Sequence, residues 1–214
     1  MAKRPTRLLA RSDRTRPGLT DLRVRERPGG RSPAAPPARQ PLPGHGIPDG
    51  RSPVVGGVAV PREGRHFFTW SIPRARSPNP QFRRYGTYAV VQRVLRVVAG
   101  YRRAHPNAAR VGIADLSLPH GGEFGTQYGG TGHVAHRNGT EVDILYPRRD
   151  RKEQAPVRPA QIDRSLTQDL LERFLDAGAV QVKVDGRLGL RAPPQKIEEA
   201  PFHEEHMHVR FPAR

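Results

Sequence analysis

Apolar positions in this chain recur with two periods. Between positions 81 and 103, Tyr88, Val91, Leu95 and Val98 follow three- and four-residue steps. That spacing predicts an amphipathic helix, closed by Pro106. Leu170, Leu171, Phe174 and Leu175 predict a second helix over 166–177, with Gly178 at its C-terminal end. Shorter apolar runs predict strands at 54–60, 66–70, 110–114, 141–146 and 180–184, the last leading into a turn at Asp185-Gly186. His206-Met-His-Val-Arg-Phe211 alternates and predicts a final strand. No internal repeat is visible. Separate helices beside hairpin-like strands indicate an α+β fold, a small and mostly antiparallel sheet flanked by helices.

The first 52 residues break this pattern. They hold nine of the 23 prolines, with 12 basic against four acidic residues. Such a segment buries too little apolar surface to offset its chain entropy. A disordered Arg/Pro-rich arm over 1–52 and a folded domain over 53–214 are therefore expected.

Composition narrows the chemistry. The chain has 214 residues, enough for one domain with a core, and a net charge of +17. So basic a protein is drawn to polyanions: nucleic acid, anionic headgroups or anionic cell-wall polymers. The arm lacks the interleaved aromatics that reading a single strand requires, so no specific nucleic-acid partner is expected. There is no cysteine, which leaves only His and carboxylate as ligands for any metal. No run approaches a membrane span. The basic N-terminus has no apolar stretch behind it, so no signal peptide is read.

Five of the nine histidines fall in two tight clusters. One is Gly132-His133-Val-Ala-His136-Arg-Asn-Gly139-Thr-Glu-Val-Asp143. The other is His203-Glu-Glu-His206-Met-His208-Val-Arg210. His206 and His208, two apart on a strand, share one face. Gly139 allows a tight turn between His136 and Asp143. Three N/O ligands around a position left open are the mark of a catalytic zinc site, where a structural site is closed by four. The helical His-Glu-x-x-His motif is excluded, because position 207, where its second histidine would fall, is Met.

The two clusters together resemble the penicillin-insensitive murein endopeptidases, within the peptidoglycan-cutting zinc peptidases that include D-Ala-D-Ala carboxypeptidases. The resemblance runs from about residue 54 to 211. It takes in Ala114-Asp115-Leu-Ser117 and Gly121-Gly122. It implies zinc in a cleft, held by His136, Asp143 and His208, with His206 as general base or transition-state stabiliser. It also implies that His133 and His203 line the site, with Asp115 either beside them or capping a turn. Arg210 and Arg137 suit binding of substrate carboxylates. Ala135 stands where the family usually has Ser, so one supporting hydrogen bond is missing. Residues 148–152 offer no His, so a second metal is not expected. Glu204 and Glu205 are expected to be solvated, with contact to a site histidine as the alternative.

The expected function is zinc-dependent hydrolysis of an amide bond in peptidoglycan peptides, at the cell wall, in the periplasm or outside the cell. Anionic wall polymers are expected as a further partner. A D-Ala-D-Ala carboxypeptidase of the same fold is one alternative. A catalytically inactive polyanion- or wall-binding protein is another.

Overall fold

The computed structural model describes residues 57–128 and 135–213. The Arg/Pro-rich arm, the boundary proposed after it, part of the glycine-rich loop and His133 lie outside the described residues.

Nine short strands and two helices make up the described chain. In order they are β1 (Val58–Ala59), β2 (Glu63–Gly64), β3 (Phe67–Thr69), β4 (Tyr85–Gly86), α1 (Tyr88–Ala104), β5 (Val111–Ile113), β6 (Glu141–Leu145), α2 (Arg164–Asp176), β7 (Gln181–Val184), β8 (Ile197–Glu199) and β9 (His206–Arg210). Seven strands form one sheet in the order β2-β3-β5-β6-β9-β7-β8, while β1 and β4 pair separately. Within the large sheet only β3–β5 and β7–β8 run parallel. The fold is thus α+β with a mixed, mainly antiparallel sheet.

The period-two alternation of the central strands divides the sheet into an oily face and a polar one. Val142 and Ile144 of β6, Val182 of β7, and Met207 and Val209 of β9 join one core. Val90, Val94, Val98 and Tyr101 from α1 and Leu170, Leu171 and Phe174 from α2 close over it. Asp143, Leu145, His206 and His208 alternate with those residues and occupy the other face. There a small second cluster forms from Phe68, Ala114 and Leu145, with Trp70, Ile72 and Ala155 packed on it. Gly112 is required at this crossing, because a Cβ on it would lie 2.6 Å from Leu145 Cδ1.

Helix α1 begins later than its apolar spacing predicts. Residues 81–83 form a 3-10 turn, β4 follows, and Thr87 caps the helix by accepting the Val90 N–H at 3.3 Å. The buried stripe is also rotated. Tyr88 is 64% exposed, and Val90, Val94 and Val97 are buried in its place. Helix α2 matches expectation, capped by Asp163 and ended by Gly178 at φ 92°. The apolar runs predict neither β2 nor β8, and β4 stands within the span expected to be helical.

Candidate metal centre

Strands β6 and β9 are the middle of the sheet and pair antiparallel with Asp143 opposite His208 and Leu145 opposite His206. This register lays one carboxylate and two imidazoles on the polar face. The third contributor comes from the loop before β6. Gly139, at φ 72°, turns that loop, and His136 itself sits at φ 66°. A left-handed conformation is uncommon for a residue with a Cβ and costs on the order of 1–3 kcal/mol. Glu141 holds it in place: its Oε2 accepts the His136 N–H at 2.5 Å.

The result is a compact, buried group. His136, Asp143 and His208 each offer one ligand atom, and those atoms all lie within 4.8 Å of one another. His136 Nε2 is 3.2 Å from Asp143 Oδ2, and His208 Nδ1 is 3.0 Å from Asp143 Oδ1. The His136 and His208 rings meet edge-on at 4.7 Å. His206 stands beside them, its Nε2 3.6 Å from Asp143 Oδ1. His203 flanks the group, 5.1 Å from the His206 ring, and its Nδ1 lies 2.7 Å from the Pro201 carbonyl.

The electrostatics follow from burial among opposite charges. Burial alone disfavours a charged Asp143, yet the facing imidazoles hold its carboxyl well below the usual range. Glu141 is likewise opposed by burial but pulled down to about 2 by His208 and His136. Burial lowers His208, but Asp143 and Glu141 outweigh it and raise it to about 9. His206 is raised in the same way by Asp143 and Glu205, and His203 is lowered by its burial.

The donor set fits a divalent ion. Among the described residues, buried Asp143 Oδ2 has no hydrogen-bond partner although an imidazole nitrogen lies close by. Two imidazoles and a carboxylate are ordinary zinc ligands, and neutral histidines there would point lone pairs at the same spot.

A family model for penicillin-insensitive murein endopeptidases matches residues 50–183, more than half of the chain. The chain belongs to the penicillin-insensitive murein endopeptidase family. The matched span includes His136 and Asp143 and ends before the histidines of β9. No curated protein matches the chain.

Membership in this murein endopeptidase family makes the protein a peptidase of peptidoglycan, and the remaining expected residues can be placed on that basis. Asp115 is fully buried and gripped by Arg83, whose Nη2 and Nε donate to its two oxygens at 2.5 and 2.8 Å. Asn79 Nδ2 donates to it as well, at 3.0 Å. Its backbone carbonyl accepts the Asp143 N–H at 2.9 Å, so it abuts the group through the main chain. Arg137 is half-buried and ion-paired with Glu123. Arg210 is exposed, 3.8 Å from Glu141. Glu204 is exposed as expected, whereas Glu205 is half-buried, 3.5 Å from His206 Nδ1.

Three supporting residues escaped the sequence reading. Glu141 shares the parity of Asp143, a signal that was present on the strand. Arg83 and Phe124 gave none: Arg83 stacks 4.4 Å over the Phe124 ring, which in turn meets His136 edge-on at 6.4 Å.

Proposed function

We propose that this chain is a zinc-dependent endopeptidase that cuts amide bonds in peptidoglycan peptides, with His136, Asp143 and His208 as the metal ligands. The observation that carries this reading is the convergence of those three ligand atoms within 4.8 Å on the buried polar face. Zinc held there supplies Lewis-acid polarisation of the scissile carbonyl and brings the pKa of a water toward about 7.

The chain's own residues do the rest. His206 takes the proton of the attacking water at Nε2 and delivers it to the leaving amine nitrogen. Glu205 beside Nδ1 favours the tautomer that leaves Nε2 free as the base. His203 lines the site, and Asp115 stiffens it from behind. Arg210 and Arg137 bind carboxylates of the peptide stem. The polar face of the sheet, with the loop before β6, forms the cleft.

Peptidoglycan as substrate puts the action at the cell wall, in the periplasm or outside the cell. No helix among the described residues is long and apolar enough to cross a membrane. The net charge of +17 would hold the enzyme on anionic wall polymers.

Two measurements test the reading. Metal analysis of the purified protein should find one zinc per chain, with that stoichiometry lost in His136→Ala and His208→Ala. Digestion of purified peptidoglycan should release split dimers. Free D-Ala in their place would make it a carboxypeptidase, and a zinc-free wild type would remove the ligand assignment.

A further inference from the structure

Beside the metal centre, on the same face of the sheet, lies a groove of about 340 Å³ lined by Trp70, Ile72, Val157, Arg158, Glu204 and Glu205 among others. Its size sits at the low end of the range of small-ligand sites, about 300–1,000 Å³. That suits one or two amino-acid residues and is small for a glycan strand. Val157, 80% exposed, adds an apolar side chain to the groove beside Trp70 and Ile72.

The groove is joined to the reacting centre through one wall. Glu205 lines it, and Glu205 Oε1 is 3.5 Å from His206 Nδ1, a buried nitrogen with no hydrogen-bond partner among the described residues. The other face of that imidazole looks to Asp143.

The charges in the groove are of both signs. Glu204 and Glu205 both line the groove, and Glu204 also feels the charge of Arg187. Arg187 also lines the groove, but Asp185 already neutralises it at 2.8 Å. Arg158 is exposed and has no ion pair among the described residues, which leaves its guanidinium for a ligand. Apolar floor, carboxylate pair and free guanidinium together describe a receptor for an aliphatic amino-acid residue that ends in an ammonium and a carboxylate.

We propose that this groove is the subsite for a stem-peptide residue with a free zwitterionic end, held by Glu204 and Glu205 at its ammonium and by Arg158 at its carboxylate. The proposal rests on the endopeptidase reading and adds to it the determinant of which peptide is accepted. The acidic pair repels an occupant that carries only carboxylates, so the subsite selects the amine-bearing residue.

The test uses the full zinc-loaded chain and two soluble cross-linked peptidoglycan fragments, one with the free ammonium and one N-acetylated there. The wild type is expected to prefer the free form by about tenfold in kcat/KM, mainly through KM, the scale of one charge-assisted hydrogen bond. Glu204→Lys is expected to abolish that preference, whereas Arg158→Glu is expected to raise KM for both fragments about tenfold through the lost carboxylate contact and to leave the preference in place; both positions are exposed. Equal cleavage of both fragments by the wild type, a preference retained in Glu204→Lys, or an unchanged KM in Arg158→Glu overturns the proposal and leaves the endopeptidase reading standing. If the wild type cleaves neither fragment, the endopeptidase reading fails, and calorimetric binding of the same fragments decides the subsite. Tighter binding of the free form that disappears in Glu204→Lys supports it, and equal binding overturns it.

Discussion

Glu141 touches His136 through the backbone and His208 through the ring: its Oε2 accepts the His136 N–H at 2.5 Å and its Oε1 lies 3.8 Å from His208 Nε2. One carboxylate thus holds two expected ligands that are 72 positions apart in the chain, one of them in a strained conformation. Glu141→Gln keeps the shape and removes the charge. Zinc affinity, measured by chelator competition, should fall about 10–100-fold, the usual cost of losing a residue that orients a ligand. Affinity equal to that of the wild type would show that Glu141 does not position the ligands.

His206 tests the separation of holding from reacting. Its Nε2 is near Asp143, but it is not one of the three grouped residues. His206→Ala should retain zinc while kcat falls about 10²–10⁴-fold, the range for losing a general base. Full activity would remove His206 from the mechanism.

Arg83 and Asp115 form an ion pair in which both side chains are almost completely shielded from water, 2% and 0% exposed. Arg83→Met would leave Asp115 charged without its cation. Breaking such a pair costs about 3–5 kcal/mol, so Tm should fall by about 10 °C for a domain of this size. Arg83→Lys keeps the charge without the two-pronged geometry and should fall between. A Tm unchanged in Arg83→Met would deny the pair any structural weight.

Asp169 of α2 ties the two helices, accepting from Arg173 at 2.5 Å and lying 3.0 Å from His105 Nε2 at the end of α1. Partial burial would raise its pKa, but the bonds from Arg173 and His105 win and lower it. A folded-state pKa below the unfolded one adds stability above the unfolded value of about 3.9, and that contribution is lost as pH falls through the folded value. Asp169→Asn should therefore cost about 2 °C of Tm at pH 7, after allowance for screening at a site about one-third exposed. The deficit should close as the pH drops below the ordinary aspartate range. A constant deficit down to acid pH would mean that charge is not what Asp169 contributes.

Strict periodicity is what made parts of this fold legible. The alternation in β9 and the three-four spacing in α2 were read within two residues of their ends. The start of α1 was not, because Phe82 and Tyr85 extend the apolar pattern backward through a segment that serves another purpose. Arg83 must reach Asp115, and the chain there takes a 3-10 turn and a strand before Thr87 caps the helix. Strand β8 is three residues at a sheet edge, too short to show a period. At the site, the grouped residues were visible because histidine is scarce and clustered. The residues that hold them were not, because arginine is abundant in this chain and Phe124 lies 12 positions from the histidine it meets.

The division of the central strands into alternating oily and polar positions has a consequence for how this protein can change. The same register writes the core and the proposed metal site, with Val142 and Asp143, or Met207 and His208, as adjacent letters. Gaining or losing one residue in β6 would trade Val142 with Asp143, and in β9 Met207 with His208, pushing a carboxylate or an imidazole into oil. A length change in either segment is therefore expected to unfold the core and lose the metal site together, where the same change in a connecting loop would not.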